Sequence, residues 1–104
     1  MDHDFANRLK TLRMEHDMTI DMLVSDLNRS FPESNVNKSM VSRWESGINS
    51  PSLENAKNVS VYFNVSLDYL IGLTDTRTPS RLLALKRMAS YQKELNESEK
   101  MEEE

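Results

Sequence analysis

No cysteine occurs in the 104 residues. That excludes a disulfide framework and a thiolate metal site, and it suits a reducing compartment. Glycine and proline are nearly as scarce, with two and three copies, so no Gly-rich loop exists to cradle a phosphate. No apolar run approaches the roughly 18 residues of a membrane span, and no charged-then-apolar leader opens the chain. The expected location is therefore the cytoplasm, away from any membrane. The two histidines, His3 and His16, have no acidic or cysteine neighbours at ligand spacing, so they read as surface residues and no metal is expected. A nucleophile–base–orienter set is missing too, as is any acidic pair with an evident pocket, and the seven methionines are scattered. An enzyme or a cofactor protein is not expected.

What remains is a soluble composition, 38% hydrophobic and 29% charged, sufficient for one modest core. The net charge of −4 argues at first against a nucleic-acid partner. Its distribution removes the objection. Residues 94–104, "ELNESEKMEEE", hold six Glu against one Lys, which leaves residues 1–93 with a net charge of +1.

Helical periodicity dominates the rest. Asp4 is placed to cap a first helix in which Phe5, Leu9 and Leu12 share a face. Thr19 caps a second, with Ile20, Leu23, Val24, Leu27 and Phe31 on one stripe. "PESNVN" then breaks the pattern, because Pro32 ends the helix and Ser34, Asn35 and Asn37 favour turns. Asn37 caps a third, short helix that Gly47 stops. Its apolar positions, Val41 and Trp44, point to a core, and its other side carries Lys38, Ser39, Ser42 and Arg43. Ser52 caps a fourth helix over 53–63, with Leu53, Ala56, Val59, Ser60 and Phe63 inward. The alternation in "VSVYFNV" would suit a strand, but the inward spacing continues from Leu53, so helix is preferred. Ser66 opens a last short helix, Leu67 to Ile71, closed by Gly72. The domain plan is thus 1–73, a polar hinge at 74–80, and a C-terminal segment, 81–104. There "RLLALKRMASYQKEL" predicts a sixth helix and the Glu-rich end an acidic, disordered tail.

The run from Val36 to Gly72, "VNKSMVSRWESGINSPSLENAKNVSVYFNVSLDYLIG", resembles the Cro/CI-type (XRE-like) helix-turn-helix family of phage-repressor-like transcriptional regulators. Linked features carry the likeness: the cap, an apolar residue followed by Ser, Trp44-Glu45, Gly47, Pro51 and the closing "VSLDYLIG". With the first helix it covers about residues 5–73. The resemblance implies an all-α, five-helix lambda-repressor-like domain that binds double-stranded DNA. It implies that Lys38 and Ser39, with Ser42 and Arg43 one turn on, contact base edges. Met40 is open between touching a thymine methyl and packing beside the second helix. Thr19, Asn37, Ser46, Asn49 and Ser50 fall where the family contacts the DNA backbone.

Two departures stand out. The connection between the second and third helices is several residues longer than the compact form, which makes Arg29, Ser34 and Asn35 candidates for an added contact. The family's usual Gln at the start of the second helix is Ile20, and Asp21 and Asp26 on that helix weaken nonspecific attraction if they face DNA. The function implied is sequence-specific repression by a homodimer on a palindromic operator. Helix five, with Leu67, Tyr69, Leu70 and Ile71, and the helix at 81–95 are the expected dimer surfaces. A different class of function on the same fold is a protein-interaction adaptor, an antitoxin or antirepressor with weak DNA binding.

Overall fold

Helix starts in this protein are written by side chains that accept a bond from the first turn. In the computed structural model, which describes residues 4–79, Thr19 Oγ1 accepts from the N–H of Met22 at 3.1 Å. Asn37 Oδ1 accepts from Met40 at 2.8 Å, Ser52 Oγ from Asn55 at 3.1 Å, and Ser66 Oγ from Tyr69 at 2.9 Å. Each satisfies one of the amides that a helix start leaves without an intrahelical partner. The helices that follow are α2 (Ile20–Ser30), α3 (Lys38–Glu45), α4 (Leu53–Phe63) and α5 (Leu67–Leu70), after α1 (Asp4–Glu15). The described residues form no strand, and "VSVYFNV" lies in α4 up to Phe63.

Four helix ends close on a residue in the left-handed region: Asp17 (φ 53°), Gly47 (φ 79°), Asn64 (φ 55°) and Gly72 (φ 86°). At α3 the pattern is complete. Gly47 donates to Trp44 O at 3.2 Å and Ile48 to Arg43 O at 3.0 Å, which covers carbonyls the helix would otherwise leave open. With only two glycines available, Asp17 and Asn64 take the same geometry, as short polar side chains can.

Three local expectations are corrected. Asp4 is the first residue of α1 rather than its cap, and its carboxylate sits in the positive first turn. The second helix ends at Ser30, and Phe31 follows as its C-cap. Leu53, expected inward, is 76% exposed, because it lies in the opening turn of α4, outside the run of buried residues that begins at Ala56.

The core joins Leu9 and Leu12 of α1, Leu23 and Leu27 of α2, Val41 and Trp44 of α3, Val59 and Phe63 of α4, and Leu70 of α5. Trp44 is buried and meets Phe5 edge-on, with ring centroids 6.4 Å apart. Segment 74–77, expected as part of a hinge, lies against α1 and α5. Arg8 donates to Tyr69 O and to Thr74 O, each at 2.6 Å. The N–H of Ser66 donates to Arg77 O at 2.7 Å. Arg77 forms two bonds to Glu15, 2.8 and 2.9 Å, and these hold the Glu15 carboxyl below the usual carboxylate range. The expected sixth helix and acidic tail lie outside the described residues.

Candidate nucleic-acid interface

α3 is eight residues long, too short to hold its shape alone, so its contacts with the core decide what it can present. Val41 is fully buried and Trp44 nearly so. A third attachment comes from Glu45, the second residue of the Trp-Glu pair. Arg13 Nε donates to Glu45 Oε2 at 2.7 Å and Arg13 Nη2 to Oε1 at 2.8 Å. Arg13 Nη1 also donates to Met18 O at 2.7 Å. Only 14% of the Arg13 side chain and 6% of the Glu45 side chain are exposed. The bidentate carboxylate raises the Arg13 pKa against the opposing effect of burial.

With one side held by α1 and the core, the other side of α3 meets solvent. Lys38, Ser39, Ser42 and Arg43 are all exposed, and their i, i+1, i+4, i+5 spacing groups them on one side of the helix. Met40 is half-buried and packs against the core cluster. Thr19 and Asn37 stand exposed as the caps of α2 and α3, their oxygens already accepting from the helix. Thr19 Oγ1 keeps its proton, and the Asn37 amide keeps its N–H groups, to donate outward. Ser46 is exposed and donates its hydroxyl to Arg43 O at 3.2 Å. Asn49 and Ser50 are exposed in the loop after α3.

The long α2–α3 connection is not a slack loop. The N–H of Val36 donates to Asn28 Oδ1, and Asn28 Nδ2 donates back to Val36 O, both at 2.9 Å. Ser34 Oγ adds bonds to Phe31 O at 2.8 Å and to Asn28 Oδ1 at 3.3 Å. Val36 is thereby held in the core, one residue before the cap of α3. Ser34 is thus turned to the protein, whereas Arg29 and Asn35 are exposed and Asn35 is left-handed at φ 47°.

The two acids on α2 have separate surroundings. Asp26 accepts from Tyr62 Oη at 2.5 Å and pairs with Arg29. The Tyr62 bond, more than Arg29, lowers the Asp26 pKa. Burial, reinforced by Asp26, pushes the Tyr62 phenol up to about 12. Asp21 instead lies 3.6 Å from Lys38 Nζ, across the gap between α2 and α3.

Two of the expected dimer residues are withdrawn from the surface. Tyr69 and Leu70 of α5 are buried, and the Tyr69 ring lies 4.3 Å from the Arg8 guanidinium carbon and 5.2 Å from that of Arg77. Ile71 stays 42% exposed. It lines an apolar groove of about 360 Å³ with Phe5, Pro51, Leu53, Ala56 and Leu67.

Sequence reasoning reached the exposed side of α3 through its caps and apolar pair. It did not reach Arg13 or Asn28. Arg13 meets a partner 32 residues away, for which no local pattern exists, whereas an Asn at the end of a helix ahead of a turn-rich segment was an available signal.

A helix-turn-helix family model matches residues 32–70. The match opens inside the α2–α3 connection and takes in α3, α4 and α5. A 68-residue stretch is 31% identical to the HTH-type transcriptional activator BcrR of Enterococcus faecalis, covering 65% of this chain and 30% of that protein. The chain therefore spans less than a third of that relative's length. No solved structure gives a significant match. The α3 geometry, the residues that carry the likeness and the family match agree: residues 32–70 are similar to the helix-turn-helix family.

Proposed function

We propose that the protein binds double-stranded DNA in a sequence-specific way and regulates transcription from the site it occupies. The observation that carries this reading is the two-sidedness of α3. Buried Val41 and Trp44 and the Arg13–Glu45 pair fix one side, while Lys38, Ser39, Ser42 and Arg43 are left to solvent. A major groove about 12 Å wide admits one such helix. Lys38 and Arg43 supply donors for guanine O6 and N7, and the two serines suit several base edges. Thr19, Asn37, Ser46, Asn49 and Ser50 are assigned to the phosphates, which set register rather than sequence.

One short helix offers few base contacts, so the reading includes a homodimer on a palindromic operator, with half-sites about 34 Å apart. The groove lined by Phe5, Leu53, Leu67 and Ile71 is the assigned self-association face, because Leu53 and Ile71 stand exposed beside it. Repression by occupancy of promoter DNA is the assigned outcome. The relative is named an activator, so a transcription assay with the selected site placed over, and then upstream of, a promoter decides between the two. The adaptor reading would use the same apolar groove for another protein.

Selection from a randomised duplex library, followed by footprinting and titration at several salt concentrations, tests the reading. The expected result is a discrete protected site with two-fold symmetry and an affinity that falls steeply with salt. Equal, weak retention of all duplexes would overturn it and favour the adaptor. Leu53→Glu is expected to abolish the dimer in sedimentation while leaving the helical content unchanged.

A further inference from the structure

The geometry points to Asp21 as a specificity-determining residue, one that suppresses binding to wrong DNA by holding Lys38. This rests on the DNA-binding reading above and assigns a role to a residue outside its contact surface. Lys38 is the first residue of α3 and Asp21 the second of α2. Their charged groups are 3.6 Å apart, and both side chains are largely exposed, 68% and 71%. Among the described residues, Asp21 is the one acid within ion-pair distance of Lys38, and Arg43 has none. The other acid of α2, Asp26, is occupied by Tyr62 and Arg29. Of the acids among the described residues, Asp21 alone therefore pairs with a residue of the proposed base-reading set.

The consequence follows from what nonspecific and specific contacts require. Binding to any duplex gains free energy from counterions released when cations neutralise phosphates, about 0.9 of an ion per phosphate contact. A lysine already neutralised by a neighbouring carboxylate contributes little to that release. A base edge asks for something different, a directed N–H donor. The ammonium of Lys38 has three donors, and at 3.6 Å Asp21 lies within ion-pair but not hydrogen-bond reach, so the donors stay available to guanine O6 or N7. Asp21 thus subtracts Lys38 from the sequence-independent attraction and leaves its hydrogen bonding available.

The test compares wild type, Asp21→Asn and, as a control on the same helix, Asp26→Asn. The probes are a duplex enriched by the wild-type protein from a randomised library and a scrambled duplex of the same composition, titrated at several salt concentrations. Asp21→Asn is expected to tighten binding to the scrambled duplex by about threefold or more. Its salt slope there should steepen by roughly one unit, the value for one added phosphate contact. The enriched duplex should change less, so the ratio between the two falls. Asp26→Asn should leave that ratio unchanged, and a loss of helix stability alone cannot move it. In a Lys38→Met background Asp21→Asn should no longer change the ratio. An unchanged ratio, or the same change with and without Lys38, would overturn the role of Asp21 while the DNA reading stands. Failure of the wild type to enrich any sequence would overturn the DNA reading itself.

Discussion

Arg13 and Glu45, 32 residues apart in sequence, grip one another through two parallel hydrogen bonds of 2.7 and 2.8 Å. The pair joins α1 to the last residue of α3, so the exposed side of α3 is aimed partly by a residue far from it. Both side chains are largely out of solvent, and removal of one leaves the other charge desolvated and alone. Glu45→Ala is expected to cost on the order of 3–5 kcal/mol in denaturant unfolding. Arg13→Ala should cost a similar amount. The double variant should recover part of the loss, since no unpaired charge remains.

The two sides of α3 predict opposite phenotypes. Lys38→Ala and Arg43→Ala should each cost about 1–3 kcal/mol in binding to the selected duplex and relax preference at one or two base pairs. Their unfolding midpoints should stay near wild type, because both side chains are exposed. Trp44→Ala should instead cost roughly 3–5 kcal/mol of stability. A Trp44→Ala protein that stayed fully stable and lost only DNA binding would contradict its place in the core.

Asn28 holds both backbone groups of Val36. Asn28→Ala leaves a partly buried N–H and C=O without their partners, and about 1–3 kcal/mol of stability should be lost. Asn28→Asp keeps the acceptor for the Val36 N–H but presents no donor to Val36 O when ionised. It should therefore fall between wild type and Asn28→Ala. Unfolding curves on the three proteins check the order.

The Asp26–Tyr62 bond makes stability depend on pH at both extremes. Asp26 has a lowered pKa in the fold, so its contribution is present above the unfolded value near 4 and is lost as pH falls through the folded one. Tyr62 is raised to about 12, so its contribution is complete below the unfolded value near 10 and is lost as pH climbs from about 10 to about 12. Tyr62→Phe should flatten the alkaline loss and part of the acid loss. Thermal unfolding across pH compares the two proteins; Glu15, bound by Arg77, adds an acid-side loss of the same sign that remains in the variant.

Much of the fold was legible because the sequence marks its own boundaries. Thr19, Asn37, Ser52 and Ser66 are the caps that local chemistry predicts, and Gly47 and Gly72 are the stops. Leu53 misled because a repeat of three or four residues identifies a helix face without saying how far the core extends along it. Segment 74–77 has the polar composition of a hinge, and Arg8, Ser66 and Glu15, which meet it, come from elements whose approach no local pattern shows. The exposed side of α3 was visible as a set of residue types at one spacing. The groups that hold it, Arg13 and the Asn28–Val36 pair, depend on where the chain folds back. Asp21 was visible as an acid on α2, and its link to Lys38 only once the two helices were side by side.

The strap at 74–77 changes how mechanical load would enter this domain. The chain does not leave from the loose end of α5. It leaves from a bracket that Arg8 fastens at Thr74 and that Arg77 fastens to Glu15. A pull on residues beyond 79 is therefore delivered to α1 at Glu15, two residues from the arginine that grips α3. Tension or docking on the C-terminal side would reach α3 along α1, with the start of α5 sharing the load through Ser66, which bonds Thr76 O and Arg77 O.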